Sequence, residues 1–476
     1  MKIFALFVLL ICSMNASAQS LFSESERQKV VDFWKAPDRY DIALPAEAAQ
    51  KGPWQVRLTP EGSVWLLKYQ VATGRGGAPP TTDPTSSPKT NVGVAGWKEW
   101  VLAKVACDRW FAQTLVDSAN AHYVETTIRK PFETSKPLKK PATGEKPALI
   151  PEPPALGTIP TSLMLAVGSP PSLANAVIVK EHTIKFDEGD SYVYRDNVNF
   201  SPTYGYYRFP QGVAHEGTPL VDEERNNLFK AAGLSETEQH VMQKVSKLEG
   251  SFDAVNTYDT GYVSIGFIQF ASLLDGKQSL SSVLMQEKRA NLPEFEKDFR
   301  RFGIDVSTLG VMTVLDPATG KELDGTDAVL KIVDEKRLVA VFQKAGKLSS
   351  AFRIAQIMVA KSTYWAGEDP IEITLNGSKL TGKISDVIKS EAGLATLFDR
   401  KVNRGTINPF PDVLLAIMKK NNLKTVADAC KFEKEIVTQL KYRVDFLADK
   451  DLTQPGMTVA EVIPPALDPP PPPPFR

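Results

Sequence analysis

The sequence predicts an α+β protein: a mainly helical C-terminal domain with small β-hairpin insertions, preceded by a mixed α/β N-terminal region. Three observations point there. From about residue 222 to 450, apolar residues recur at three- and four-residue spacing between helix cap signals. Between 176 and 212, short runs such as "AVIVKEHTIKF", "SYVYRDNVNF" and "YGYYRFP" alternate apolar and polar residues, as strands do. A proline-rich stretch at 131–172 separates both from a tryptophan-rich beginning.

Taken in order, residues 1–18 read as an export signal: Lys2, a short apolar core Ile3–Ile11, then Ala16-Ser17-Ala18 as the cleavage site. The expectation is a mature chain in the periplasm or outside the cell. Residues 19–130 form one unit of unknown role, holding six of the seven tryptophans. Within it "SVWLLKYQVA" reads as a strand, "TGRGGAPPTTDPTSSPKTN" as a loop, and the segment from Gly96 to Ile128 as one long amphipathic helix. Tryptophans can stack on sugar rings, but as a cluster they more often form core. Residues 131–175 are a Pro-rich linker, a spacer or a strap, and 176–221 a small antiparallel β region.

The helical domain, 222–450, opens with "DEERNNLFKAAG", ending at a glycine cap signal. Ser235 and Glu238 form a capping box for the next helix, which should end at Gly250. β-like insertions are expected near 311–324 and 371–384. Residues 451–476 end in six prolines, Pro469–Pro474, an extended or disordered tail that could bind a protein partner.

Composition excludes some classes. Lys+Arg and Asp+Glu are both 56, so the basic footprint of a nucleic-acid binder is missing. No later stretch offers about 18 uninterrupted apolar residues, so no membrane span is expected. Cys107 and Cys430, the two cysteines of the mature chain, could pair or stay free. His122, His182, His215 and His240 stand at no zinc-site spacing and read as exposed loop histidines; no metal or cofactor is implied. There is no Gly-x-Ser-x-Gly elbow and no phosphate-cradling glycine loop.

The stretch that carries chemistry is "KLEGSFDAVNTYDTGYVSIGFIQF", Lys247–Phe270. Glu249 falls at the C-terminal turn of the capped helix, where the helix dipole disfavours its anion. Phe252 and the Phe267-Ile268 run can supply an apolar wall that keeps it protonated. Asp259 follows ten residues later, at a turn reached by water. Asn256, Tyr258, Ser264 and Gln269 offer amides and hydroxyls to a sugar, with Ser264, Tyr262 and Gly266 on one face of a strand. Asp253 is a rival second carboxyl, with neighbours that read as surface. Cleaving a glycosidic bond needs such a pair. One carboxyl protonates the leaving oxygen and the other acts as base or nucleophile, at about 6.5–9.5 Å or about 5–5.5 Å. The plain alternative is a solvated helix-end Glu249 and a turn-forming Asp259.

A helix ending in Glu-Gly, a turn with Asp, then Ser-x-Gly-Phe-x-Gln resembles the active-site segment of the lysozyme-like superfamily, which includes transglycosylases, phage-type muramidases and chitosanases. The matching positions are Glu249, Asp259, Ser264, Gly266 and Gln269. "LATLFDRKVNRG", Leu394–Gly405, resembles the helix that backs the cleft in that superfamily. The resemblance spans about 220–445 and departs from the commonest transglycosylase pattern, which has Glu-Ser in place of Glu-Gly. It implies hydrolysis of a β-1,4-linked amino-sugar polymer, peptidoglycan before chitosan, with Glu249 as acid and Asp259 as base or charge stabiliser. The other readings are a chitosanase-like enzyme, a non-catalytic glycan-binding or envelope scaffold, and a phage-derived effector, against which the export signal speaks.

Overall fold

A computed structural model describes residues 20–73, 96–129, 152–196, 209, 211–259 and 261–456. The export signal, the loop expected at 73–91 from Gly74 onward, the "YGYYRFP" run apart from Phe209, and the proline tail from residue 457 lie outside the described residues. Helix predominates, with several small antiparallel sheets.

Two apolar cores divide the chain, and they do not follow chain order. The larger gathers residues from Phe22 to Leu452. At its centre runs the helix Lys336–Leu348, buried at every position from Lys336 to Gly346. Phe342 of this helix meets Phe299, which meets Phe352 in turn, and none of the three reaches solvent. The first helix, Glu24–Lys35, starts at a capping box of Ser23 and Glu26. It packs on this same core: Trp34 is 2% exposed and its indole N–H donates to the Phe302 carbonyl at 3.1 Å.

The smaller core holds Trp65, Trp97 and Trp100 with Leu163 and Leu173. Their indole nitrogens donate to Gly168 O, Ser162 Oγ and Gly157 O. These tryptophans are core, and the segment 157–173 is strapped over them. It includes a short helix, Thr161–Val167.

One sequence expectation fails here. "SVWLLKYQVA" is a helix, Pro60–Ala72, not a strand. A short run with apolar residues at successive positions has no periodicity to separate the two. The deciding signals are flanking ones: Pro60 at the first helical position and Thr59, whose Oγ1 accepts the Gly62 N–H at 2.9 Å. The long helix is as expected over Trp97–Tyr123, with a π-helical turn at Val124–Arg129.

The strands expected at 176–212 do not form one sheet. Ala174–Ile178 pairs with Trp54–Leu58, while Glu181–Lys185 and Ser191–Arg195 form a sheet with Tyr40–Ala43. The insertion near 311–324 is present as Met312–Leu315 and Glu322–Asp324, in a sheet with Ile304–Val306. That near 371–384 is the hairpin Pro370–Leu375 and Ser378–Lys383, turned at Asn376-Gly377. A fifth small sheet, ordered Ala214–His215, Val255–Asn256, Ser264–Ile265, Phe270–Ala271, carries the candidate site. Cys107 is buried, Cys430 half-buried, and both are free thiols.

Candidate functional site

The helix Glu236–Ser246 begins at the expected capping box, with Ser235 Oγ accepting from Glu238 N. It ends at Ser246, short of Gly250. Residues 247–249 form a tightened turn, in which the N–H groups of Glu249 and Gly250 both reach Ser246 O, at 3.0 and 3.1 Å. Gly250 then takes φ +137°, open to glycine, and turns the chain onto the central helix. There Gly346 makes room: a Cβ on it would lie 2.3 Å from Phe252 O. Gln356, with no exposure, fixes both arms of the motif. Its Nε2 donates to Phe252 O at 3.0 Å and its Oε1 accepts from Phe267 N at 3.2 Å.

Glu249 is held by groups far away in sequence. Arg443 Nη2 lies 2.5 Å from its Oε1, and Asn403 Nδ2 donates to the same oxygen at 3.2 Å. Arg443 also bonds Asp399, whose side chain is 1% exposed. One cation therefore bridges two carboxyls. Asp399 and Asn403 are one turn apart on the helix Glu391–Arg404, which packs against the helix leading to Glu249. Burial pushes the Glu249 carboxyl above the usual carboxylate range and Asp399 adds to this, against Arg443 and Asn403, which lower it. Desolvation, not the helix dipole, is the leading cause.

Asp259 sits in the turn between Val255–Asn256 and Ser264–Ile265. It accepts from Asn256 Nδ2 at 2.7 Å and from Gly261 N at 2.8 Å, while Asn256 Oδ1 accepts the Tyr258 N–H. Asn256, Tyr258 and Asp259 are all half-buried and form one group. Among the described residues, no hydrogen bond or ion pair joins Asp259 to Glu249.

The "YVSIGFIQF" run is not one continuous strand. Ser264–Ile265 and Phe270–Ala271 are two short strands joined by a turn, in which Gln269 N bonds Gly266 O at 3.0 Å. The expected face shared by Tyr262, Ser264 and Gly266 is therefore lost. Ser264 is 5% exposed, and Gly266, at φ +85°, is pressed on Gln356, whose Oε1 would stand 2.0 Å from an added Cβ. Gln269 takes φ +53° and its Nε2 donates to Gly266 O at 3.2 Å. The same nitrogen would lie 3.8 Å from a Cβ on Gly250, so Gln269 flanks the residue beside Glu249.

Asp253, read as surface from its neighbours, is 2% exposed. Its Oδ1 accepts from Thr218 N at 2.7 Å. His182 likewise is no exposed loop residue: it is 7% exposed on a strand, between Tyr40 OH and Asp196. His240 bonds Glu391 and His215 bonds Gln343. Among the described residues no group of three His, Cys, Asp or Glu is placed to hold a metal ion. No described helix is long and apolar enough to cross a membrane.

Sequence reading missed Arg443, Asp399 and Asn403 as partners of Glu249. Two of them lie inside the quoted "LATLFDRKVNRG", at the i, i+4 spacing of one helix face, and could have been flagged. Arg443 carries no local signal. No protein family, curated protein or solved structure matches the chain.

Proposed function

We propose that this protein is an exported glycoside hydrolase that cleaves a β-1,4-linked amino-sugar polymer, peptidoglycan in the first place. The observation that carries the reading is the Glu249 carboxyl. It is desolvated enough to hold its proton above the usual range even with Arg443 against it. That is the environment a general acid needs. Asp259, in a turn and hydrogen-bonded by Asn256 and Gly261, has the contrasting environment of a second carboxyl.

In the proposed reaction Glu249 gives its proton to the glycosidic oxygen as the bond to the anomeric carbon breaks. Asp259 takes a proton from the attacking water or stabilises the positive charge at that carbon. Arg443 keeps Glu249 oriented and, through Asp399, holds the helix Glu391–Arg404 at the site. Asn256 and Gln269 supply amides for sugar hydroxyls.

The ion pair to Arg443 also favours a second reading, a glycan-binding envelope protein in which Glu249 is a structural anion. Incubation of the mature protein with purified peptidoglycan and with chitosan separates the two. New reducing ends from one polymer support hydrolysis and name the substrate, chitosan making the enzyme chitosanase-like. Sedimentation with a polymer and no new reducing ends supports binding alone.

A further inference from the structure

A cavity of about 410 Å³ is bordered by Gly250, the residue that follows Glu249, while the Glu249 side chain itself is turned to Arg443 and Asn403. Its walls combine two kinds of chemistry. Phe252 and Phe267, 5% and 2% exposed, meet Leu220 and Pro219 on the apolar side. Arg225 and Lys247 supply two cations, against one carboxylate, the exposed Glu216. Arg225 is only partly committed: one Nη pairs with Asp222, whose side chain is 84% exposed, while its Nε is buried with no partner. Lys247 is exposed and makes no ion pair among the described residues.

A guanidinium and an ammonium beside an apolar wall suit a carboxylate on a short aliphatic stem, held by charge-assisted N–H bonds. We propose that this cavity receives a carboxylate-bearing substituent of the amino sugar bound next to the scissile bond. This rests on the glycan-cleaving reading and deepens it. A polymer of free glucosamine brings ammonium groups, which the two cations repel. A neutral acetamido group fills the apolar side and leaves the cations unpaired. The substrate class selected is an amino-sugar polymer with lactyl or peptide carboxylates, as in peptidoglycan.

The test is a saturation-transfer NMR titration of full-length mature protein carrying Glu249→Gln, which prevents turnover. The probes are N-acetylmuramic acid and N-acetylglucosamine, which differ by the lactyl carboxylate. The acid should bind about tenfold more tightly or better, the scale of hydrogen bonds to a charged group. Adding Arg225→Gln should bring the two sugars to near parity with N-acetylglucosamine binding unchanged. Lys247→Gln, at an exposed position, should cut the preference in the same direction and carries the test if the arginine variant does not fold. Equal affinities for the two sugars, or a preference that survives both substitutions, overturns the proposal. The wild-type cleavage assay separates this failure from failure of the broader reading. Cleavage without carboxylate preference removes the pocket assignment alone, whereas preference without cleavage keeps the pocket and removes the hydrolase.

Discussion

At Glu249 two opposed effects meet, and their balance decides what the side chain can do. Burial raises its pKa, and Arg443 with Asn403 pulls it down. Removing the cation should therefore let Glu249 keep its proton to higher pH. If Glu249 is the acid, Arg443→Ala shifts the basic limb of the pH–rate profile upward. The same change leaves Asp399, 1% exposed, without its cation. We expect a loss of about 2–3 kcal/mol, below the range for a fully buried pair because solvent reaches the arginine. Denaturant unfolding measures the stability term and the rate profile the electrostatic one. A basic limb that does not move would detach Arg443 from the chemistry. The turn that carries Asp259 was legible from its residues, whereas its hydrogen bond to Asn256, which the sequence offered to a sugar, was not. The Arg443 contact was not, because nothing local in "KYRVDF" announces a partner almost two hundred residues earlier.

Among the elements, the helix Ser279–Ala290 carries a second informative carboxyl. Glu287 is 1% exposed, neither of its oxygens meets a donor, and Asp298 of the helix Leu292–Asp298 faces it. Two carboxylates cannot hydrogen-bond each other, so the pair is stable only with a proton between them. Burial, then Asp298, pushes Glu287 up to about 9 from an unfolded value of 4.5. The folded state thus holds a proton that the unfolded chain releases. This stability is fully present below the unfolded value and is lost as pH rises towards about 9. Thermal unfolding should show a midpoint falling by several degrees from about pH 5 to about pH 8, and Glu287→Gln should flatten that slope. An unchanged slope in the variant would show that other groups set it. Elements were readable where a capping box marks the start, as at Ser235–Glu238, or where the apolar spacing runs long, as along Trp97–Tyr123. They were misread where an apolar run lacks a helical or strand period, as at Pro60–Ala72, or where a run hides a turn, as at Gly266–Gln269.

Across the whole molecule, the packing of the first helix against the C-terminal core is the feature least visible in sequence. Trp34 closes a ring of aromatic contacts with Phe33, Phe186 and Phe302, and Glu322 accepts from Leu21 N at 2.8 Å. No sequence period reports a contact between residues nearly three hundred positions apart. The proline-rich break after residue 130 suggests independence, which this helix does not have. Trp34→Ala should cost about 3–5 kcal/mol, as for a large core residue replaced by a small one. The loss should appear in the unfolding of the core around Phe342. A variant with an unchanged midpoint would mean that the helix is an appendage. The mixed helix-and-sheet character was legible. The division into two cores was not, because it depends on which surfaces the strap at 157–173 covers.

The most direct measurement compares reducing-end release from purified peptidoglycan by the mature protein and by Glu249→Gln, which keeps the shape of the side chain and removes the acid. We expect cleavage by the wild type and a loss of at least about a hundredfold in the variant, with the fold and polymer binding retained. A variant that cleaves as well as the wild type would contradict the assignment of Glu249 as the proton donor.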